Sequence, residues 1–234
     1  MIKLKRNFIM LLSLCFSFAT IFAPRIYASE THHVYSKNRE KTGKIAITFD
    51  DGTHPRYTKE ILDILEEYNI KATFFVIGVN ATLYPEALSD IFKSGCEIGN
   101  HTFTHKDLKN ATSNEILNEL LKCEAAIKER VDIKTRLFRP PRGFRTETLD
   151  NAVMSYGYDV ILWSIDTEDW AHTPPEVISN RVLSSLKDGD IILMHDYTSG
   201  NNTTCKALKI LIPEILKRGY EFVTVSELIS GEFD

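Results

Sequence analysis

The sequence lacks the features that mark fibrous, disordered or multidomain chains. Its 234 residues contain no repeat, no low-complexity tract and no interdomain linker. Hydrophobic residues make up 43% of the chain and charged residues 26%, an ordinary globular composition that argues against disorder. The length is compatible with one large domain.

An excess of positive charge is also missing. Lys and Arg number 28 against 32 Asp and Glu, so the formal net charge is −4. Cleavage after residue 28 would remove Lys3, Lys5, Arg6 and Arg25 and no acidic residue, which leaves 24 basic and 32 acidic residues. Such a balance argues against a nucleic-acid partner held by a basic face.

Cysteine is scarce, with four residues in the whole chain, of which Cys96, Cys123 and Cys205 lie beyond residue 28. Three cysteines cannot all pair within one chain, so a disulfide framework is not expected. Cys123 and Cys205 fall at helical spacing from Ile and Leu residues, which predicts small core side chains on helix faces.

One apolar run stands apart from the globular pattern. It begins after a basic start, extends for about sixteen residues and ends at Pro24, before the small pair Ala28 and Ser29. The pattern predicts a secretory signal over residues 1–28, and a secreted or cell-wall-associated chain, although Ile26 stands where a small residue is preferred. Left uncleaved, the run would serve as a short anchor holding the chain to the outer face of the membrane.

After a polar lead-in at residues 29–42, strand-like and helical patterns alternate, which predicts a parallel sheet covered by helices. Helical periodicity appears in "TKEILDILEEYNI", and "TSNEILNELLK" opens with Thr112 and Glu115 at capping-box spacing. Seven strand-like runs are predicted: "KIAITFD", "KATFFVIG", "CEIGNHT", "RLFRPP", "YDVILWSID", "DIILMHD" and "EFVTVSEL".

Polar side chains capable of chemistry follow most of these runs. The set consists of Asp50, Asp51, His101, His105, Arg139, Asp166, Asp169 and His195. The carboxyl ends of parallel strands converge on one face, both in an open doubly wound sheet and in a closed (β/α) barrel. These residues follow five separate strand-like runs, and a ring of five strand ends favours the mouth of a barrel over the crevice of an open sheet.

The adjacent carboxylates Asp50 and Asp51 need compensation, because two charges about 4 Å apart repel by roughly 4 kcal/mol at a protein's effective dielectric. In "HTFTH", His101 and His105 stand four residues apart, and with Asp51 they make a His, His, Asp set typical of catalytic zinc. A cation there would offset the repulsion and leave Asp50 as a general base. The same ligand set also occurs in non-haem iron oxygenases.

The remaining run ends suggest supporting roles. His195 is a candidate general acid, which amide hydrolysis needs for the leaving group, and Asp169 could orient it. The planar fork of Arg139 could hold Asp50, and the prolines of "FRPPRG" would stiffen a main-chain N–H for an oxyanion. Trp170 offers an apolar face of the sort that stacks on sugar rings. Ordinary packing and a surface ion pair are the competing interpretations.

Five ordered motifs, "TFDDG", "HTFTH", "RPPRG", "DTEDW" and "ILMHD", resemble those of polysaccharide deacetylases of carbohydrate esterase family 4, which carry a NodB homology domain. Peptidoglycan N-acetylglucosamine deacetylases are the members that the chain resembles. The resemblance covers about Lys44 to Leu228, within a domain predicted at residues 43–230. It implies a single-domain distorted (β/α) barrel of about seven strands that removes N-acetyl groups from amino sugars.

The resemblance also implies a role for each matching position. It makes Asp51, His101 and His105 ligands of a divalent metal, commonly zinc, with cobalt or another divalent ion as an alternative. It makes Asp50 the base, His195 the acid, Arg139 the tether of the base and Asp169 the partner of the catalytic histidine. Trp170 would line the groove, and Leu193 would line the acetyl pocket.

Two positions depart from the family pattern. Thr53 stands where proline is usual, which alters loop stiffness, and Arg142 stands where tyrosine is common. A cationic groove wall at Arg142 would favour an acidic sugar such as N-acetylmuramic acid. Chitin oligomers and acetyl esters of xylan remain alternative substrates, and a glycan-binding protein without catalysis remains an alternative class.

Overall fold

The computed structural model describes residues 32–38, 40, 42–197 and 203–230. Residues 1–28, for which a signal or anchor is predicted, lie outside this part of the chain, so that prediction remains untested. None of the helices among the described residues has the length and apolar character needed to cross a bilayer.

The strands form one sheet in which every ladder is parallel. They are β1 (Val34–Tyr35), β2 (Lys44–Asp50), β3 (Thr73–Val76), β4 (Glu97–Asn100), β5 (Leu137–Phe138), β6 (Asp159–Ile161), β7 (Ile165–Asp166), β8 (Ile191–His195) and β9 (Glu221–Phe222). Their order is β1-β6-β5-β4-β3-β2-β8-β7, and β9 pairs with the start of β2.

Helices connect the strands, as the alternating pattern predicts. They are α1 (Tyr57–Glu67), α2 (Gly78–Leu83), α3 (Pro85–Lys93), α4 (Ser113–Val131), α5 (Glu147–Met154), α6 (Pro175–Ser185), α7 (Thr203–Lys217) and α8 (Val225–Ile229). Short 3-10 turns occupy Pro141–Gly143 and Asp169–Ala171. The predicted capping box is confirmed, because the Thr112 side chain accepts from the Glu115 N–H and Glu115 bonds back.

A short connection makes the sheet curl. The chain leaves β6, near one edge of the sheet, and enters β7, at the other edge, after only residues 162–164. The Leu162 N–H still donates to the Tyr35 carbonyl on β1, whereas the Ser164 N–H donates to the Ile191 carbonyl on β8. Because three residues span only about 10 Å, the two edges must lie close together. The predicted distorted barrel is confirmed as a curled half-barrel.

The inside of the curl is a narrow core. Along β2, Ile45, Ile47 and Phe49 pack on the side of the helices, and Ala46 packs on the inside. The inner cluster joins side chains from β2, β3, β5, β6 and β8: Ala46, Phe75, Leu137, Ile161 and Ile191. Since side chains alternate along a strand, Thr48 and Asp50 share the inner face with Ala46. Asp50 therefore lies at the carboxyl end of this interior.

Three predictions about individual elements need correction. The run "YDVILWSID" forms β6 and β7 rather than one strand, because it passes between sheet edges. Only the first two residues of "EFVTVSEL" form a strand and its last four belong to α8, since the Thr224 and Glu227 capping box starts a helix there. The lead-in at residues 29–42 contributes β1 to the sheet.

The prediction that Cys123 and Cys205 are core side chains on helices is confirmed. Cys96, Cys123 and Cys205 are all buried. Cys123 and Cys205 lie on α4 and α7 and pack in the main hydrophobic core.

Candidate active site

The centre of the site is a buried ion pair at the end of β2. Asp50 is 4% exposed, and its Oδ1 accepts a hydrogen bond from Nη1 of Arg139 at 2.7 Å. Arg139 follows β5 and has no exposed surface. A buried carboxylate needs such a charge-assisted partner, because desolvation would otherwise favour its neutral form. Arg139 therefore makes the contact with Asp50 that the role predicted for it requires.

The guanidinium of Arg139 is held from several directions. Nη1 also donates to Oγ1 of Thr48 at 2.7 Å, Nε donates to the Ile161 carbonyl at 3.2 Å, and Nη2 donates to the Leu162 carbonyl at 3.1 Å. Its central carbon lies 4.0 Å from the centroid of the Phe75 ring. These contacts come from β2, β3 and β6, so the curl of the sheet positions the arginine.

Next to the ion pair, three side chains form a candidate metal site. Asp51, His101 and His105 each offer a ligand atom, and these atoms lie within 4.8 Å of one another. Oδ1 of Asp51 is 3.5 Å from Nε2 of His101 and 3.3 Å from Nε2 of His105. This Oδ1 is buried and accepts no hydrogen bond among the described residues. An oxygen left without a donor beside two imidazole nitrogens fits a cation.

The orientation of His101 supports the same interpretation. Its Nδ1 lies 2.8 Å from the Arg139 carbonyl, to which it can only donate, so Nε2 is the nitrogen left to bind a metal. Burial disfavours protonation of His101, but Asp50 and Asp51 outweigh it and raise its pKa. Burial disfavours the charged form of Asp51 too, which by itself would raise the pKa of this carboxyl, but the neighbouring imidazoles lower it to about 2. Asp51 is therefore ionised at neutral pH.

The loops of the site have unusual backbone conformations. Asp51, His105 and Arg142 have φ angles of 72°, 57° and 59°, in the left-handed region that non-glycine residues rarely adopt. Such conformations persist where the surrounding structure holds them, and they concentrate at functional sites. Each of the three belongs to a different predicted motif.

A second pair, in which Asp169 is fully buried and His195 partly buried, adjoins the first. Nδ1 of His195, at the end of β8, lies 2.8 Å from Oδ1 of Asp169, and the His195 N–H donates to Oδ2 of the same carboxylate at 2.8 Å. Thr204 donates to this Oδ2 at 2.7 Å. Burial disfavours the imidazolium, but the hydrogen bond and charge of Asp169 raise the pKa of His195 to about 9. His195 is therefore protonated at neutral pH and can donate a proton.

The residues predicted to bind substrate lie within three positions of Arg139, Asp169 and His195 in the sequence. Arg142 is exposed in the turn after β5, and Trp170 is 56% exposed in the turn after β7, so ordinary core packing does not explain Trp170. Leu193 is buried on β8, two residues before His195, and so shares the inner face with it. Oδ1 of Asp166 accepts from the Glu168 N–H, and among the described residues no hydrogen bond or ion pair joins the Asp166 side chain to the centre.

The sequence motifs do not identify a role for two acidic residues of the site region, Glu119 and Asp196. Glu119 on α4 is buried, and its Oε2 accepts from the Phe103 N–H, the Thr104 N–H and the Thr104 hydroxyl at 3.1, 2.7 and 3.0 Å. One carboxylate thus holds the turn between His101 and His105. Burial raises the pKa of Asp196 to about 7, and Asp196 accepts from the Thr58 hydroxyl at 2.5 Å.

Comparison with known proteins assigns the chain to a family. A sequence model described as polysaccharide deacetylase matches residues 37–161. A peptidoglycan-N-acetylglucosamine deacetylase of Bacillus cereus is 41% identical over 194 residues, which are 82% of this chain and 90% of the relative. The chain belongs to the polysaccharide deacetylase family. Some relatives are longer, and the chain spans 40% of the peptidoglycan-N-acetylglucosamine deacetylase PgdA of Listeria monocytogenes.

Solved structures of polysaccharide deacetylases share the fold. A peptidoglycan N-acetylglucosamine deacetylase crystallised with 4-naphthalen-1-yl-N-oxidanyl-benzamide has a TM-score of 0.82 at 31% identity, covering 85% of this chain and 92% of that one. A pseudoenzyme of the same family from Bacillus anthracis has a TM-score of 0.79 at 28% identity, covering 84% of this chain and 68% of that one. The fold alone therefore does not establish catalysis, and activity has to be inferred from the side chains of the site.

Replacement of Asp169 by asparagine should lower the pKa of His195, because the carboxylate that stabilises the imidazolium is lost while burial remains. NMR titration of the His195 ring in the metal-free protein should show a midpoint near 9 in the wild type. In Asp169→Asn the midpoint should fall by about one pH unit or more. The matched control Asp166→Asn should leave it unchanged. Equal midpoints in wild type and Asp169→Asn would contradict the pairing.

Proposed function

We propose that this chain is a metal-dependent hydrolase that removes N-acetyl groups from amino sugars of a cell-wall glycan, foremost the N-acetylglucosamine of peptidoglycan. The observation that carries the proposal is the juxtaposition of a base held by a buried arginine, a set of metal-binding donors and a protonated imidazole. The Bacillus cereus relative and the structural neighbour with a TM-score of 0.82 are both named peptidoglycan N-acetylglucosamine deacetylases, which favours peptidoglycan over the alternatives, chitin oligomers and acetyl xylan.

The cation is proposed to be zinc, with cobalt or another divalent ion as the alternative. Asp51, His101 and His105 would hold it, since a carboxylate and two imidazoles are common zinc donors that leave positions open for water and substrate. When bound, it supplies a Lewis acid that polarises the substrate carbonyl and lowers the pKa of water. The same donors occur in iron oxygenases, but Asp50 and His195 provide proton transfer, which hydrolysis requires.

The residues of this chain carry the proton steps. Asp50 takes a proton from the water that attacks the acetyl carbonyl carbon, and Arg139 keeps its carboxylate in place. The main-chain N–H of Arg142 donates to the oxyanion of the tetrahedral adduct. His195 then gives its proton to the departing nitrogen as the C–N bond breaks. The products are acetate and a free amino group on the sugar.

The rim residues set the substrate preference. Trp170 presents an exposed ring to the sugar, and Leu193 lines the acetyl pocket beneath His195. The exposed guanidinium of Arg142 belongs to the same turn as the proposed oxyanion donor. An acidic sugar such as N-acetylmuramic acid is therefore a second proposed substrate. A cell-wall substrate agrees with the secretion signal predicted at residues 1–28, and we propose that the chain acts outside the cytoplasm.

Acetate release tests the proposal. Purified protein is incubated with peptidoglycan and with N-acetylglucosamine oligomers, before chelation, after chelation and after zinc is restored. We expect release that stops with the chelator and returns with zinc. In Asp50→Asn release should fall by at least about 100-fold, because the general base is lost, while zinc binding persists. The introduced amide keeps an oxygen that can accept from Arg139, so the fold should survive.

The variant His101→Ala should lose zinc binding and activity together. His32→Ala is the matched control, because His32 lies before β1 and pairs with Asp159, at the end of the sheet opposite the site. Zinc retention in His101→Ala equal to wild type would contradict the ligand assignment. Zinc-loaded protein that binds the glycan but releases no acetate would favour a binding protein without catalysis.

A further inference from the structure

Four ring-bearing side chains gather beside the proposed active site and take no part in the proposed chemistry. We call His54, Tyr57, Tyr84 and Tyr197 the aromatic cluster. His54 and Tyr57 come from the loop after β2 and the start of α1, Tyr84 lies between α2 and α3, and Tyr197 lies just after β8. The cluster thus joins three parts of the chain at the carboxyl end of the sheet.

The rings of the cluster are packed in a defined arrangement. The imidazole of His54 and the ring of Tyr197 are stacked, with centroids 5.0 Å apart and planes 10° apart. Tyr57 and Tyr84 lie 4.6 and 5.9 Å from the His54 ring. Nδ1 of His54 accepts from the main-chain N–H groups of Arg56 and Tyr57, which fixes the imidazole on the start of α1. The surface is therefore preorganised.

The cluster is not part of the hydrophobic core. Tyr197 is 43% exposed, and His54, Tyr57 and Tyr84 are half-buried. Burial lowers the pKa of His54, and Arg56 lowers it further, so this imidazole is uncharged at neutral pH. Uncharged rings that are held in place yet open to solvent are suited to an uncharged ligand with an apolar face and hydroxyl groups.

Short connections tie the cluster to the catalytic groups. His54 follows Asp51 by three residues, and Tyr197 follows His195 by two. The intervening Asp196 donates its N–H to the Asp50 carbonyl at 2.9 Å and accepts from Thr58 at 2.5 Å. Arg142 follows β5, which lies three strands from β2 in the sheet. The cluster and Arg142 therefore mark different sides of the catalytic groups.

We propose that the aromatic cluster is a glycan subsite, which binds a sugar unit next to the one that is deacetylated. The apolar C–H face of a pyranose would stack on the rings of Tyr197 and His54, and the tyrosine hydroxyls would bond to its polar edge. This inference depends on the proposed function for the identity of the glycan. It adds a site for chain length that the catalytic residues do not provide.

The test compares substrates of different length. N-acetylglucosamine oligomers from the dimer to the hexamer are assayed with wild type, Tyr197→Ser and Tyr197→Phe. For the longest oligomer, Tyr197→Ser should lose about fivefold to tenfold in kcat/KM, mainly through KM, because a binding contact is lost. For the shortest oligomer that is turned over, the loss should be absent. Tyr197→Phe keeps the ring and should retain most of the activity.

Tyr156→Ser is the matched control, because Tyr156 is 44% exposed and lies between α5 and β6, at the opposite end of the sheet. It should behave as wild type at every length. The subsite is refuted if Tyr197→Ser matches wild type on the hexamer, or loses equally at all lengths. A loss in Tyr197→Phe as large as that in Tyr197→Ser would also refute stacking.

A binding measurement separates this inference from the proposed function. Calorimetric titration of chelated protein with the hexamer should show weaker binding for Tyr197→Ser than for wild type and Tyr156→Ser. Retained binding that depends on Tyr197, in a protein that never releases acetate, would support the subsite and overturn the hydrolase. Acetate release with equal hexamer binding by all three proteins would overturn the subsite alone.

Discussion

The site depends on one buried ion pair, that between Arg139 and Asp50. Burying both charges is costly, and it is tolerated only when the hydrogen bonds of each are satisfied. Here the guanidinium donates to Asp50, Thr48 and the carbonyls of Ile161 and Leu162. Removing one partner of such a buried pair lowers the free energy of unfolding by about 3 to 5 kcal/mol, much more than removing one partner of an exposed pair. The pair thus explains why two carboxylates can stand side by side at the end of β2. Arg139 compensates the charge of Asp50, and the imidazoles of His101 and His105 stabilise the charge of Asp51.

The curl of the sheet is what brings the partners of Arg139 together. Its acceptors lie on β2 and just at the end of β6, strands that are four places apart in the sheet order. They meet because residues 162–164 join the two edges of the sheet and bend it around a narrow interior. The Arg139 carbonyl in turn fixes the tautomer of His101. One residue therefore couples the curvature of the fold, the proposed base and the proposed metal site.

Much of this arrangement could be predicted from the sequence, because parallel strand ends converge on one face wherever the strands are placed. That rule brings Asp51, His101 and His105 together, and the capping box on α4 is a local signal. Other features depend on tertiary contacts that leave no periodic pattern. Glu119 looks like any acidic residue on a helix, and its role appears only when α4 packs against the turn after β4. The β-branched and apolar run before α8 continues the pattern of β9, and only the capping box of Thr224 and Glu227 marks where the helix begins.

The most direct test of this account is a crystal structure of the wild-type protein with zinc, with the metal located by its anomalous scattering. We predict one zinc ion bound by Asp51, His101 and His105, with Asp50 still paired to Arg139 and not ligated. Zinc bound through Asp50, or the absence of zinc from these three residues at saturating metal, would contradict the division of roles between the two carboxylates.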